Sequence, residues 1–570
     1  MHRQAEAYIR LLIGQARLLA ELADRDRHAP TFGCFFYPFW RSKSSDYVNA
    51  RCQEAAYTLA LIYRNAYPGN IFQGMLEIGE LARAAMLFWA ECQHRDGSFD
   101  EWYKGEHGFA ATAFSSFALS RAYRLLEDEF SDGDRNIILN AFRSAGHWLG
   151  RHDDTSKINH EAVAAAALAS LAEVLEEPSF DRASGEKIAE VLRRQTEEGW
   201  FPELGGVDTG YSFLTLEYLA QAYLFRPDEE LKDALARALE FLLYFVHPDV
   251  TTGREYNLCG NSYVSLLGAA IMAEFYPPAR GLFREGVGRS NILAQLAQDD
   301  LSRCYHLYNG IRAYEHYERN RDFFGGEESP LPYQGKPFQK YFPTAGLMAL
   351  RAPGYYAVCG CKHGGLLKIF SSSREDAAAA PGCNDLGYTI RLESGQKLHS
   401  FLLASGSEVE FAADDSLRVT AGFRTASYFF PHLLARLLLK ICGLIPGGYL
   451  LVKKGSDFIR RRKKASFQLT AVPGKASGWV LKRSVSFGDG SIRVRDEIAS
   501  DGSRPDAVEI EVELRKGALV TGRPGSELRK KLLALIRSGK KVAVEKTFTP
   551  APDEVKIDMK PAESGSESES

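Results

Sequence analysis

Two short stretches hold side chains whose types and spacing could do chemistry. Asn159-His160 heads one apolar segment, and Asp208-Thr-Gly-Tyr211 heads another about one helical hairpin later. An amide, an imidazole, a carboxylate and a phenol are the groups needed to neutralise a sugar carboxylate and move a proton beside it. His160, at a helix N-terminus, is biased toward its neutral form, in which it can accept a proton or donate a hydrogen bond to a developing enolate. A structural reading stands beside each of these. Asn159 is a good N-cap, Glu161 suits the first turn of the same helix, and Tyr211 could simply pack its ring. Asp208 reads as an N-cap for the Tyr211 helix or as a general acid in its own right.

Further candidates follow the same punctuation. Arg254, Asn257 and Asn261 precede the apolar run after Ser262, and Arg254 could clamp a carboxylate bidentately. Asp96, Asp100, Glu101, Trp102 and Tyr103 follow an earlier Gly turn and offer acids and an aromatic platform for a sugar. Taken singly, each is as well explained by structure. Their recurrence at one edge is what singles them out.

The elements that must carry them are helical from about residue 5 to 320, with apolar residues at helical spacing and Gly and Pro clusters between. Expected helices include 5–23, 48–66, 74–93, 109–127, 134–150, 160–175, 185–195, 211–225, 229–245, 260–275 and 302–319, with an unclear element near 284–297. Gln93-His-Arg-Asp-Gly-Ser-Phe99 matches Gln195-Thr-Glu-Glu-Gly-Trp-Phe201, and His247-Pro-Asp falls near the next step. Five or six hairpins repeating in this way close into an (α/α) toroid or stack as a solenoid, with the Gly turns on one rim.

After Gly325 the pattern changes to short alternating strands, such as Tyr355–Cys361, Leu366–Phe370, Ser491–Asp496 and Val508–Leu514. These predict an antiparallel β-sandwich. The expected organisation is a toroid domain over 1–325, a sandwich domain over 326–553 and a disordered tail over 554–570. An apolar helical insertion is expected near 428–452. With the basic run at 460–464, the stretch 428–464 reads either as a peripheral membrane contact or as a packed helix beside a solvated basic loop.

Composition narrows the rest. The 570 residues are 45% hydrophobic and 25% charged with net charge −3, so no basic footprint for nucleic acid exists. An acidic polymer would be met by local Arg, Lys and His. Nine cysteines without a Cys-x-x-Cys pattern argue against a disulfide framework or a zinc ribbon. Cys359 and Cys361 read as core packing within a strand. The N-terminus reads as an amphipathic helix rather than a secretory signal. The expected setting is cytoplasmic, with no metal and no cofactor, peripheral at the inner face of the membrane if the 428–464 contact is made.

The chain resembles the heparinase II/III-like polysaccharide lyase superfamily, most closely the branch associated with bacterial surface and capsular polysaccharides. The resemblance spans roughly residues 50–515. It rests on Asp96-Gly-Ser-Phe-Asp-Glu-Trp102, Asn159-His160, Glu198-Gly-Trp-Phe201, Gly206-Val-Asp-Thr-Gly-Tyr211, Phe245-Val-His-Pro-Asp249 and Leu481–Asp496. It implies a toroid followed by a sandwich. It also implies that Asn159 and His160 neutralise a uronate carboxylate and that Tyr211 serves as acid or base. The stretch comparable to the family's His-rich sandwich motif, Ser371–Asp385, has no His, which implies that the structural metal is absent. Arg254-Glu-Tyr likewise departs from the family's Gly-rich arginine loop.

The reading that follows is a lyase cleaving a uronate-containing glycan by β-elimination. Its catalytic residues are His160, Tyr211 and Asn159, and Arg254, Asp208, Glu101, Trp102 and Asn257 bind substrate. The alternatives are a uronyl C5-epimerase, a glycoside hydrolase using carboxylates such as Asp208 and Glu101, and a non-catalytic glycan-binding or assembly protein. The oligomeric state is left open.

Overall fold

A computed structural model of the chain describes residues 1–257, 260–289, 295–325, 330–371, 383–402, 407–412, 416–427, 472–500, 507–516, 519–522, 542–550 and 555–562, with isolated positions between 437 and 448 and at 530, 533 and 534. The helices are α1 (His2–Ala20), α2 (Tyr37–Trp40), α3 (Ala55–Arg64), α4 (Leu76–Glu91), α5 (Phe109–Leu126), α6 (Asp132–Leu149), α7 (Ile158–Leu175), α8 (Pro178–Arg193), α9 (Thr209–Phe225), α10 (Glu229–Leu243), α11 (Leu266–Met272), α12 (Pro277–Val287) and α13 (Asp300–Arg319).

The hairpins close into a ring. α3 packs on α5, α5 on α7, α7 on α9, α9 on α11, α11 on α13, and α13 returns to α3. The alternate helices α4, α6, α8, α10 and α12 lie outside, and α1 covers α13 and α3. Composition follows this division. α7 touches neighbours on every side and is buried almost throughout from Ile158 to Leu171, with a run of alanines that lets adjacent helices approach. It is long and apolar enough to cross a membrane, yet 78% of it is buried inside the protein as ring wall. α10, on the outside, buries only one stripe (Leu231, Ala234, Leu235, Ala238, Leu239, Leu242).

Because every outer helix carries the chain back, the ring helices all begin at the same end. Their entry turns repeat in detail. Gln93 Nε2 donates to Gly97 O (3.0 Å) and Ala141 O (2.9 Å), and Gln195 Nε2 donates to Gly199 O (2.7 Å) and Ala234 O (2.8 Å). Each turn is thereby tied to the next outer helix. Gly97 and Gly199 have φ of +98° and +93°, and a Cβ on either would lie 2.2 Å from Ser144 O or 2.4 Å from Arg237 O.

The C-terminal half is an antiparallel sheet folded over on itself. It comprises β1 (Phe338–Phe342), β2 (Leu347–Ala352), β3 (Tyr355–Gly360), β4 (Leu366–Ser371), β5 (Cys383–Leu392), β6 (Lys397–His399), β7 (Glu408–Phe411), β8 (Leu417–Ser427), β9 (Val472–Gly488), β10 (Ser491–Ser500), β11 (Ala507–Lys516), β12 (Leu519–Gly522), β13 (Val542–Pro550) and β14 (Val555–Ala562). Pairing runs β1-β2-β3-β4-β5-β6-β8-β9-β10-β13-β14, with β11 joining β5 to β12 and β7 on the edge of β8. Alternate residues such as Leu481, Val485, Ile492, Val494 and Ile498 fill its core. Cys359 and Cys361 are buried there with sulfurs 3.8 Å apart, as free thiols.

The two halves are joined through the toroid's entry turns. Glu198 accepts from the backbone N–H groups of Thr344 (2.7 Å) and Ala345 (2.9 Å). Glu255 takes Lys368 Nζ and Asn384 Nδ2, each at 2.9 Å. His247 stacks on Phe370.

Three expectations need correction or limits. The tail was expected to be disordered from 554, but Val555–Ala562 pairs with β13 along its length, because Val555, Ile557 and Met559 alternate at strand period. The 260–275 helix begins only at Leu266, where Ser265 caps it. The insertion and membrane-contact stretch, 428–464, lies mostly outside the described residues. Within it Leu437, Leu438, Ile441 and Ile445 are exposed, and Lys440 pairs with Asp46 at 3.6 Å.

The entry turns yield a stability test. Gly199→Ala should lower the free energy of unfolding by more than about 3 kcal/mol, since it adds a backbone clash to a left-handed φ. Gly205→Ala has φ +84° but nothing within 4 Å of the new Cβ, so it should cost only about 1–2 kcal/mol. Equal losses in chemical denaturation would contradict the close packing of the turn.

Candidate functional site

At the end where the ring helices begin, the loops before α5, α7, α9 and α11 meet. Lys157 and Glu203 bridge the α7 and α9 loops backbone to backbone, and Asn159 N–H lies 3.5 Å from Glu203 Oε2. His160 and Tyr211 thus stand in the first turns of adjacent, packed ring helices.

The α7 entry settles the role of Asn159 as a cap. The helix starts at Ile158, with Lys157 at the cap position and no capping side chain. Asn159 lies inside the first turn and caps nothing. It is 1% exposed, and neither its amide nitrogen nor its amide oxygen has a hydrogen-bond partner. The amide is still near enough to the Glu203 carboxylate to favour that group's charged form. Leaving a buried amide unpaired costs about 1–3 kcal/mol.

His160 Nδ1 lies 2.9 Å from Asp154 Oδ2. Burial, with Lys157 beside it, brings the imidazole down to about 4 despite Asp154. It is therefore neutral near pH 7. Burial would raise Asp154, but the hydrogen bond from His160 outweighs it and holds the carboxyl below its usual range. A carboxylate has no proton to give, so Nδ1 carries the hydrogen and Nε2 is left as an acceptor.

Asp208 is the α9 N-cap, with Oδ1 accepting from Tyr211 N–H at 3.0 Å. Tyr211 itself is half-buried. Asn257 is built into the fold at both ends of its amide. Oδ1 accepts from Thr209 N–H and Oγ1 (3.0 Å each), and Nδ2 donates to Asn261 O at 2.7 Å. Arg254 is exposed on the same loop, with φ +63°.

On the α5 side the candidates divide. Asp96 and Asp100 organise their own loop. Asp96 takes Ser98 and His107, while Asp100 takes His94 Nε2 (2.8 Å) and the N–H groups of Gly105, Glu106 and His107. Glu106 accepts from the N–H groups of Glu101 and Trp102, at 2.7 Å each, and so holds the turn that displays Trp102, 66% exposed. Glu101 faces inward instead. It is buried and 3.7 Å from Arg51 Nη1.

Arg51 is the residue that sequence reasoning missed. Its guanidinium carbon lies 3.7 Å from the Phe114 ring centroid and 3.9 Å from that of Tyr305, and Nε donates to Glu54 Oε1 at 2.8 Å. Phe114 in turn meets His160 edge-on at 6.2 Å. No local motif marks Arg51, because it falls inside what reads as one helix over 48–66. Glu203 was also passed over, although it lies between two stretches already singled out. Burial raises it to about 8, with Asn159 and Lys157 pulling the other way.

Among the described residues no cluster of three or more His, Cys, Asp and Glu could hold a metal ion. The described sandwich does contribute histidines. His363 is 1% exposed with neither ring nitrogen hydrogen-bonded. Residues 372–382, most of the stretch expected to lack His, lie outside the described residues. A cavity of about 730 Å³ opens at the other end of the ring.

Glu203 makes a pH test. Its ordinary value is 4.5 and its folded value about 8, so the folded protein keeps a proton that the unfolded chain has lost between those limits. Its stabilising contribution is complete below 4.5 and lost as pH rises through 8. Glu203→Gln should therefore flatten the decline in stability from about pH 5 to about pH 8, a gain on the order of 1 kcal/mol or more at the alkaline end. Parallel curves for variant and parent would show that Glu203 does not hold its proton.

Comparison with known proteins agrees with this architecture. Residues 37–253 match the family of the ulvan lyase N-terminal domain. No curated protein matches the chain. Among solved structures, the Streptomyces coelicolor A3 chondroitin AC lyase in complex with chondroitin sulphate superposes with TM-score 0.53 at 11% identity, covering 89% of this chain and 68% of that one. A mutant of the same lyase gives 0.52 at 10% identity with the same coverage. A heparan sulfate lyase HepC mutant from Pedobacter heparinus gives 0.43 at 11%, covering 90% and 73%. At such identities the likeness to solved structures shows a shared fold. The helical half thus matches the ulvan lyase N-terminal domain, and the chain as a whole shares the fold of the chondroitin AC lyase.

Proposed function

We propose that this protein is a glycan lyase whose substrate carries a uronate, and that the elimination takes place at the rim around Asn159, His160 and Tyr211. The observation that carries the reading is the buried Asn159 amide, whose oxygen has no hydrogen-bond partner and whose nitrogen leans on Glu203, beside a neutral His160 whose Nδ1 is held by Asp154. A substrate carboxylate would satisfy the amide, and its enolate form would be held better still. Arg254 and Trp102 are the exposed groups suited to grip an acidic sugar chain, the first by its charge and the second by its ring face. Asp208, Asn257 and Glu101 hold the loops in shape.

The chemistry balances as follows. A base takes the proton on the carbon α to the uronate carboxylate, and the C–H electron pair becomes the ring double bond. The bond from the neighbouring carbon to the glycosidic oxygen breaks with its electrons. That oxygen takes up a proton and leaves as a new hydroxyl end. The tautomer set by Asp154 makes His160 Nε2 the base and Asp154 the stabiliser of the imidazolium, and the Tyr211 hydroxyl the acid. An epimerase would use the same groups but return the proton to the opposite face.

Hydrolysis is the second reading, favoured by one observation: Glu203 holds a proton to about pH 8 and so could act as a general acid. Its partner carboxylate, Asp208, is engaged as a helix cap. The cytoplasmic setting, with a peripheral membrane contact through 428–464, belongs to this proposal and rests on composition.

Digests of uronate-containing polysaccharides should gain the ultraviolet absorbance of a conjugated double bond. Tyr211→Phe and His160→Ala should each lower kcat by about 10²–10⁴-fold, and Asn159→Ala by about 10²–10³-fold, with thermal stability nearly unchanged in Tyr211→Phe. New reducing ends without absorbance, abolished by Glu203→Gln, would replace elimination with hydrolysis. Full activity in Tyr211→Phe would remove that residue from the mechanism.

A further inference from the structure

The cavity of about 730 Å³ enters the ring where α5, α7, α9 and α13 end, opposite the rim described above. Its size lies within the range of roughly 300–1,000 Å³ typical of small-molecule sites. Tyr57, Phe117 and Phe225 form part of its wall, the first two buried against Tyr308 and Tyr218 and the third beneath the Arg121 guanidinium. Gln221 also lines it, only 5% exposed, and its Nε2 has no hydrogen-bond partner. A buried amide donor left unpaired at a roomy cavity is paired by whatever enters.

The charges on the wall identify the kind of occupant. Arg121 Nη1 is 2.6 Å from Glu173 Oε2, and Arg124 approaches the same carboxylate at 3.7 Å. Asp181 is paired with Arg226, and Arg312 with Glu315. A charged ligand would have to break one of these pairs, whereas hydroxyl groups can add to their spare lone pairs and N–H groups. Burial, with Arg312 beside it, keeps His316 neutral; its Nε2 faces Arg312 Nη2 at 3.4 Å, so the ring offers its Nδ1 hydrogen as a donor. An unpaired amide donor set among paired charges with spare lone pairs and N–H groups fits an uncharged, polyhydroxylated pyranose better than an anion or a lipid.

We propose that this cavity is a second glycan site, one that binds a neutral saccharide end of about two sugar rings without transforming it. The site is separate from the rim and does not depend on the chemistry proposed there. Between the two ends lie Phe114 and Tyr218, which meet edge-on, and Tyr308, paired to Tyr218 at 2.9 Å.

The test uses the full chain with three neutral disaccharides (cellobiose, maltose and lactose), alongside glucuronate and inorganic sulfate. Binding is read by saturation-transfer NMR and calorimetry. At least one neutral disaccharide should bind the parent protein and Trp102→Ala, a rim variant, equally well. Gln221→Leu and the cavity-filling Ala172→Phe should weaken it tenfold or more while melting like the parent and keeping their activity on polymer. Ala172 lines the cavity half-buried, so if Gln221→Leu fails to fold the filling variant still decides. No binding of any neutral disaccharide overturns the proposal. So does binding lost in Trp102→Ala but kept in the cavity variants, or cavity-dependent binding of glucuronate or sulfate alone. Because polymer cleavage is measured on the same variants, failure here is distinguishable from failure of the lyase reading.

Discussion

A ring of six helices leaves an axis that must be filled, and in this protein buried polar groups fill much of it. Tyr218 and Tyr308 share a hydrogen bond, Tyr308 reaches Glu54 at 3.2 Å, and Glu54 holds Arg51. On the other side Glu217 accepts from Tyr263 (2.7 Å), Ser265 (2.6 Å) and Asn309 (2.8 Å). Burial lifts both glutamates to about 7. Such a network keeps its shape only when nearly every member is paired, and its pairs come from α9 and α13 together with the turns that lead into α3 and α11. Closing the ring therefore also fixes where Arg51 and the rim loops stand.

From that constraint the rim follows. Parallel ring helices bring their first turns to one end, where unpaired N–H groups and caps gather. The entry turns before α5 and α9 are each tied by a Gln side chain and a left-handed glycine, and that before α5 also by Asp100 and Glu106, which collect backbone N–H groups. These ties hold Trp102 out toward solvent while drawing Glu101 in. The sandwich leans on the same turns through Glu198 and Glu255, so the candidate site lies near the junction of the two halves.

The sandwich has its own buried ionic core. Arg483, Asp496, Lys546 and Asp385 are fully buried and mutually paired at 2.7–3.2 Å, with Tyr388 donating to Asp496. Two charges of each sign cancel, which is the condition under which burying them is tolerable. Asp385 sits on β5 next to Asn384, which reaches across to the toroid at Glu255.

Much of this was legible in the chain. Helical period before residue 325, strand period after it and the Gln-Gly turn repeat are local patterns, and they determined the toroid, the sandwich and the rim on which Asn159, His160, Tyr211 and Arg254 stand. Local rules also had Asp208 right as a cap and Asn159 wrong, because α7 starts one residue before the Asn-His pair, at Ile158, beside the loop bridge to Glu203. Arg51 was invisible, since its partners Glu101, Phe114 and Tyr305 come from distant segments. The inward turn of Glu101 and the raised value of Glu203 were hidden for the same reason. Periodicity is written residue by residue along the chain. Burial, and with it charge state and the pairing of polar groups, exists only once the ring has closed.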